Sequence, residues 1–297
     1  MEAHPRTAFI VTSRPHGYEN NILGEQVDIV LEVQPFTFAQ MKQFIQGWYL
    51  QTEITWESRD TPAVRQEAKD KAEDLIEALL QNPAIRKMAS NPLLVTMIST
   101  VHHLGNALPG KRIELYKEIC DVLLGRRVYA KKINLPLTGE QNQSLLQLLA
   151  LDLMIRGTQK FTAQEVKSLI QEALQKVPSN KLTVEEWLEL IKNDVGLIVE
   201  KETGSYEFAH LSFQEYLAAV QVKASNQESL LSQNFHNSNW AETIRLYAAL
   251  SDTTKLIEFV LEKPSISSLS LAYDCWKEGK YTGPKTQAAQ EDILESG

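Results

Sequence analysis

Apolar residues dominate the run from Leu93 to Leu104, and helix signals stand at both ends of it. Asn91-Pro92 supplies a capping side chain followed by a residue whose fixed φ suits a first turn. Gly105 and Pro109-Gly110 then stop the helix. A helix that is apolar on most of its circumference has to be buried on most of it. The run is too short for the ~20 residues that cross a bilayer. Its cover must therefore come from other helices, and it reads as a central core helix.

The rest of the chain can supply that cover. Of 297 residues, 43% are hydrophobic and 23% charged, enough for two or three small domains. The net charge of -8 makes the chain a poor general binder of phosphate backbones. Two cysteines, Cys120 and Cys275, suggest a reducing compartment rather than a disulfide framework. The only apolar run near the start is Ala8 to Val11, so no secretory signal is expected. The expected location is the cytoplasm, with no membrane span. A strand-like run so close to residue 1 reads as a start in the middle of a domain.

Residues 8–12 and 27–33 are short and rich in branched apolar side chains, which predicts strands. Two strands alone are marginal, so they are expected to finish a sheet whose other strands lie elsewhere. Helices follow from Pro35. Thr37 and Gln40 have capping-box spacing ahead of Met41, Phe44, Ile45 and Trp48. Residues 50–61 read as a polar break, 62–80 as a long helix and 111–128 as another. Leu135-Pro136-Leu137-Thr138-Gly139 marks a boundary. Three helices are expected over 143–156, 162–176 and 184–192, the last two with capping boxes at Thr162/Glu165 and Thr183/Glu186. Gly196 to Glu200 and Tyr206 to Ala209 flank a Thr203-Gly204 turn, a hairpin signal. Three helices and a two-stranded wing form the order of a winged helix. A helix over 210–222 and two or three more near 239–250, 252–261 and 266–277 complete the chain.

Three motifs now fall into order. Ile10-Val11-Thr12-Ser13-Arg14-Pro15 places an arginine at a strand end, where a rigid guanidinium can grip phosphate with two donors. Asn91-Pro92-Leu93-Leu94 opens the apolar helix. Phe208-Ala209-His210-Leu211-Ser212-Phe213-Gln214-Glu215-Tyr216-Leu217 puts a histidine where strand gives way to helix. In this order they resemble the NACHT NTPases, a branch of the signal-transducing ATPases, over roughly residues 8–225. Leu108-Pro109, Arg112 and Leu115-Tyr116 also resemble that family. The resemblance implies that Arg14 is a sensor arginine, that Pro92 packs near adenine, and that His210 reaches the diphosphate of the resting state. Each motif also has a plainer reading. Arg14 can be a surface residue, Asn91-Pro92 only a good helix start, and His210 a buried side chain bonded to backbone. Gln214 and Glu215 are placed to bond across domains or to stay within one.

The expected fold is mainly α: a remnant of a parallel α/β NTPase sheet over 1–34, a helical domain over 35–134, a winged helix over 135–225, and a second helical domain or start of helical repeats over 226–297. No Gly-x-x-x-x-Gly-Lys-Ser/Thr occurs, and no acidic strand end precedes the sensor strand. The resemblance therefore implies ATP or ADP with magnesium in an intact parent, none held tightly by this chain, and no independent hydrolysis. Two functional readings remain. In one, the chain supplies the sensing parts of a defence or stress switch, working with a complementing NTPase subunit. In the other, it is a non-enzymatic module that binds an intact NACHT protein. Nucleic-acid binding is disfavoured. Arg126, Arg127, Lys131 and Lys132 are basic, but 184–192 carries three glutamates against one lysine. The neighbours His102 and His103 diverge by about 100° on a helix, so they do not share a metal, and no metal motif occurs.

Overall fold

The computed structural model describes residues 29–105, 107–126, 136–176, 182–262 and 265–279. The chain divides into two compact units, Met1–Pro35 and Phe36–Gly297. Every helix and strand among the described residues lies in the second.

Its first part is helical. Helix α1 (Phe38–Glu57) begins at the Thr37/Gln40 capping box, and α2 (Pro62–Gln81) begins at a Thr61 cap with proline in the first turn. The short α3 (Pro83–Met88) follows an Asn82 cap. Helix α4 (Pro92–His103) is the apolar run, with Leu94, Val95, Met97, Ile98 and Val101 buried. Helix α5 (Arg112–Asp121) passes directly into a π-helical turn, Val122–Arg126.

The expected polar break over 50–61 is a correction: α1 runs on to Glu57. The reason is Glu53, only 2% exposed. Its carboxylate accepts from Lys71 at 2.9 Å, with His103 Nε2 at 2.9 Å from the same oxygen. A residue that looks solvent-bound in sequence is thus buried on α1 against α2 and α4. His102 faces elsewhere, to the Tyr49 hydroxyl at 2.6 Å and Asp74 at 3.1 Å.

Next come α6 (Gly139–Arg156), α7 (Ala163–Gln175) and α8 (Val184–Leu190), all begun by capping boxes. Helix α8 also ends in a π-helical turn, Ile191–Val195, closed by Gly196 at φ 79°. Strands β1 (Ile198–Glu202) and β2 (Ser205–Phe208) then pair antiparallel, with Ile198 opposite Phe208. Gly204 at φ 76° makes the turn, a backbone state that favours glycine. Phe161 exchanges both backbone hydrogen bonds with Tyr206, at 3.0 and 2.9 Å, so a single residue between α6 and α7 acts as a third strand.

Helix α9 (Leu211–Ala224) follows the wing at once. It packs on α6 and on α11 (Ala241–Leu250). Helix α10 (Ser229–Gln233) links these two, and α12 (Thr254–Glu262) and α13 (Ile266–Glu278) complete the described chain.

Most of the parallel NTPase sheet expected over 1–34 falls on residues outside the described ones. Residues 8–12 and 27–28 lie outside the described residues, and 29–33 form no strand. A strand persists only where a neighbour takes its N–H and C=O groups, and none is paired with these residues. The sheet among the described residues is the two-stranded wing. No helix among them is long and apolar enough to cross a membrane.

Glu53 is the buried member of its pair with Lys71, which is partly exposed and also bonds Glu67, and removing its carboxylate leaves a cavity and takes a bond from Lys71 and His103. Glu53→Ala should therefore cost about 2 kcal/mol, seen as a lower denaturation midpoint. A loss below about 1 kcal/mol would mean that this carboxylate is effectively solvated.

Candidate functional site

Two helix N-termini meet through their capping side chains. Asn91, extended at φ -86° and ψ 127°, caps α4: its Oδ1 accepts from the N–H of Leu93 at 2.9 Å and of Leu94 at 3.2 Å. With the oxygen spent on the cap, the amide nitrogen is turned outward. It lies 3.1 Å from His210 Nε2, across 119 positions of sequence. His210 is itself the cap of α9, at φ -148° and ψ 142°. Its Nδ1 lies 2.7 Å from Ser212 Oγ and 3.2 Å from the Ser212 N–H. Sequence reading predicted Pro92 and His210 as site residues, and the fold brings their two segments together. Arg14 lies outside the described residues, as do Arg127, Lys131 and Lys132 of the basic cluster.

A second polar layer continues from Ser212. The Tyr116 hydroxyl on α5 interacts with Ser212 and Arg112; burial pushes its pKa up and these two partners pull it back. The Tyr116 ring stacks on Tyr216 at 5.5 Å and meets Phe213 edge-on at 5.9 Å. Arg112, first residue of α5, pairs with Glu242 of α11 and, at 3.3 Å, with Glu278 of α13. Arg245 binds Asp274 at 2.8 Å and Glu242 at 3.4 Å. Glu215, on α9, faces this group. Burial raises its pKa to about 7, against the pull of Arg112 and Arg245. Three helices, α5, α11 and α13, are thus tied by charge beside one partly enclosed carboxyl on α9.

Gln214 stays within the segment that bears it. Its amide donates to the Thr158 carbonyl at 3.1 Å, just past the end of α6. The exposed residues of α8 include Glu185, Glu186 and Glu189, and Lys192 is spent on Glu189 at 2.6 Å and Glu200 at 3.0 Å. Among the described residues no cluster of His, Cys, Asp or Glu is arranged to hold a metal ion.

Some of these roles had no readable signal. Asn91 was legible as a cap but not as the partner of His210. Arg112 was noticed for its place in a motif, while Glu242 and Glu278 carry no motif at all.

Three capped helices, a bridged wing and a helix returning from the wing define a winged helix-turn-helix domain. More particularly, residues 112–222 match the family of winged helix-turn-helix domains C-terminal to NACHT, so the chain contains a domain of that family. The matched segment starts at Arg112, the residue that anchors the ion cluster, and takes in α5 through most of α9. No curated protein matches the chain.

The titration of Glu215 gives a test. The folded pKa near 7 exceeds the ordinary value of 4.5, so the folded chain holds a proton that the unfolded chain has released between those values. This contribution is complete below about pH 4.5 and is lost as pH rises through about 7. Glu215→Gln should therefore gain on the wild type as pH rises, by roughly 1–3 kcal/mol at pH 8. Thermal midpoints of both proteins across that range check it. A difference independent of pH would show that the carboxyl is not enclosed.

Proposed function

We propose that this chain supplies the nucleotide-sensing arm of a NACHT-type signalling switch in defence or stress signalling. In this reading 1–34 belongs to the nucleotide-binding domain, 35–134 is a helical domain, 135–225 the winged helix, and 226–297 a second helical domain or the first helical repeats. Arg14 is the sensor arginine, Pro92 lies beside the adenine, and His210 meets the diphosphate. ATP or ADP with magnesium is bound by the assembled switch and not tightly by this chain, whose sequence has no phosphate loop. It is not a hydrolase by itself, and it works in the cytoplasm.

The observation that supports the reading is the contact between Asn91 and His210. Pro92 and His210 are far apart in sequence, and a shared ligand needs them within one nucleotide's length. The residues fit such a group in part. Two helix N-termini lie side by side, and the dipoles of such ends favour an anion, although their capping side chains already take the N–H groups of Leu93, Leu94 and Ser212. His210 offers a nitrogen that switches between donor and acceptor. The nucleotide's role would be to favour one relative position of the helical and winged-helix segments over another. Its leverage is limited to its difference in affinity for the two. The acidic face of α8 argues against nucleic acid as the partner. A protein that supplies the missing nucleotide-binding core suits the reading better.

Calorimetry with magnesium-ADP tests this. The chain alone should bind no more tightly than millimolar. Mixed with a separately supplied NACHT nucleotide-binding domain, it should raise that domain's ADP affinity, and His210→Ala should remove about tenfold of the gain. A stable complex whose ADP affinity ignores His210 would favour the alternative, an interaction module that binds an intact NACHT protein.

A further inference from the structure

From Phe36 to Thr52, and again from Ala78 to Ile113, the chain carries no Asp or Glu, although its net charge is -8. The fold gathers these two stretches. The Phe36 N–H donates to the Ser90 carbonyl at 2.8 Å, which sets the start of α1 beside the start of α4. The Asn82 side chain donates to the Gly110 carbonyl at 3.0 Å, which sets the start of α3 beside that of α5. Lys42, Arg86, Lys87 and Lys111 belong to these segments. Most cations among the described residues sit against a carboxylate, as Arg65 does on Asp60 at 2.6 Å and Lys71 on Glu67 at 2.8 Å. These four make no ion pair with a described residue. Lys42 and Arg86 instead share one ring: Lys42 Nζ lies 4.9 Å and Arg86 Cζ 5.9 Å from the Phe38 centroid. A ring attracts a cation weakly and cancels none of its charge. Lys87 and Lys111 are exposed. Lys111 is the N-cap of α5, with no capping bond and a charge of the wrong sign for that helix end. Glu114, in the first turn of α5, is the nearest carboxylate in sequence to Lys111 and offsets one of the four charges at most.

We propose that this end of the helical segment is a docking surface for an acidic face of a partner protein. Like charges held together without counter-ions leave a local positive potential, and an anion relieves it. The charges come from α1, α3 and the start of α5, so a broad acidic face meets more of them than one small anion does. A polynucleotide would meet the same cations, but it would bring a dense row of phosphates against a chain of net charge -8. A protein face can place a few carboxylates here and keep its other side chains neutral or basic. Lys42 and Arg86 would each gain a carboxylate without leaving the Phe38 ring. Ser90, which accepts from Phe36, directly precedes Asn91, so a partner seated here lies next to the start of α4. The surface uses neither Pro92 nor His210 and needs no nucleotide, so it stands apart from the sensing reading above.

The test uses the full chain and a fluorescent glutamate decapeptide as the probe, with binding read by anisotropy. The wild type should bind at low salt and lose the peptide as salt screens the contact. Lys42→Glu combined with Arg86→Glu should weaken binding by about tenfold. Lys87→Glu combined with Lys111→Glu should do the same. Its two ammonium groups bond nothing among the described residues, so this variant keeps the test decisive if the first pair disturbs the packing of Phe38. Lys176→Glu combined with Lys201→Glu makes the same change of net charge on exposed positions of the winged helix, and should leave binding within about twofold. Thermal midpoints show that each variant is folded. No binding by the wild type at low salt, or an equal loss in the winged-helix variant, overturns the proposal. So does a thymidylate decamer that binds more tightly through the same four residues, which would make the partner a nucleic acid.

Discussion

Helix α9 has almost no face left for water, and the rest of the described fold is arranged by what surrounds it. Ser212, Phe213, Gln214, Tyr216, Leu217, Ala218, Ala219 and Val222 are all buried. Full burial of its large apolar side chains is worth about 1.5–3 kcal/mol each. A helix enclosed in this way fixes the direction of its own start. His210 stands at that start, and its Nε2 meets Asn91 at the start of α4. The same enclosure brings the polar residue Glu215 among four helices, where partners had to be found for it. The apolar packing and the polar layer have one cause.

Much of this was readable in the residues. Capping boxes at Thr37, Thr162 and Thr183 stand where the structure begins helices. The Thr203-Gly204 turn makes the wing that it predicts. Local signals work because a cap or turn is satisfied by neighbours within three or four positions. The failures have the opposite character. Residues 50–57 look polar because the partners that bury Glu53, Lys71 and His103, belong to other helices. The strand expected over 27–33 depends on neighbours that a local pattern does not contain.

The candidate site divides along the same line. Pro92 and His210 were legible as motif residues, because a proline in a first turn and a histidine at a strand-to-helix change each have a local logic. Their meeting was not legible, since it depends on how helices far apart in sequence pack. The ion cluster was hidden more deeply. Arg112 reaches Glu242 and Glu278 over separations of 130 and 166 positions, and nothing in the spacing of these charges distinguishes them from other surface pairs. The arrangement nevertheless joins the matched winged-helix segment to the helices beyond it through a single arginine.

Asn91 and His210 share one further property. Asn91 caps α4 through Oδ1 and meets His210 through its amide nitrogen, and His210 stands at the start of α9, so a substitution at either alters a helix start and the contact between the two segments together. Once one partner is gone, the remaining one has only its local cap to lose. Changes at the two positions will therefore show epistasis, the second costing less in the background of the first. Evolution could then alter the pair more easily in two steps than the cost of either first step suggests. A lineage that had lost the contact would be free to drift at both positions, within the limits of what caps a helix.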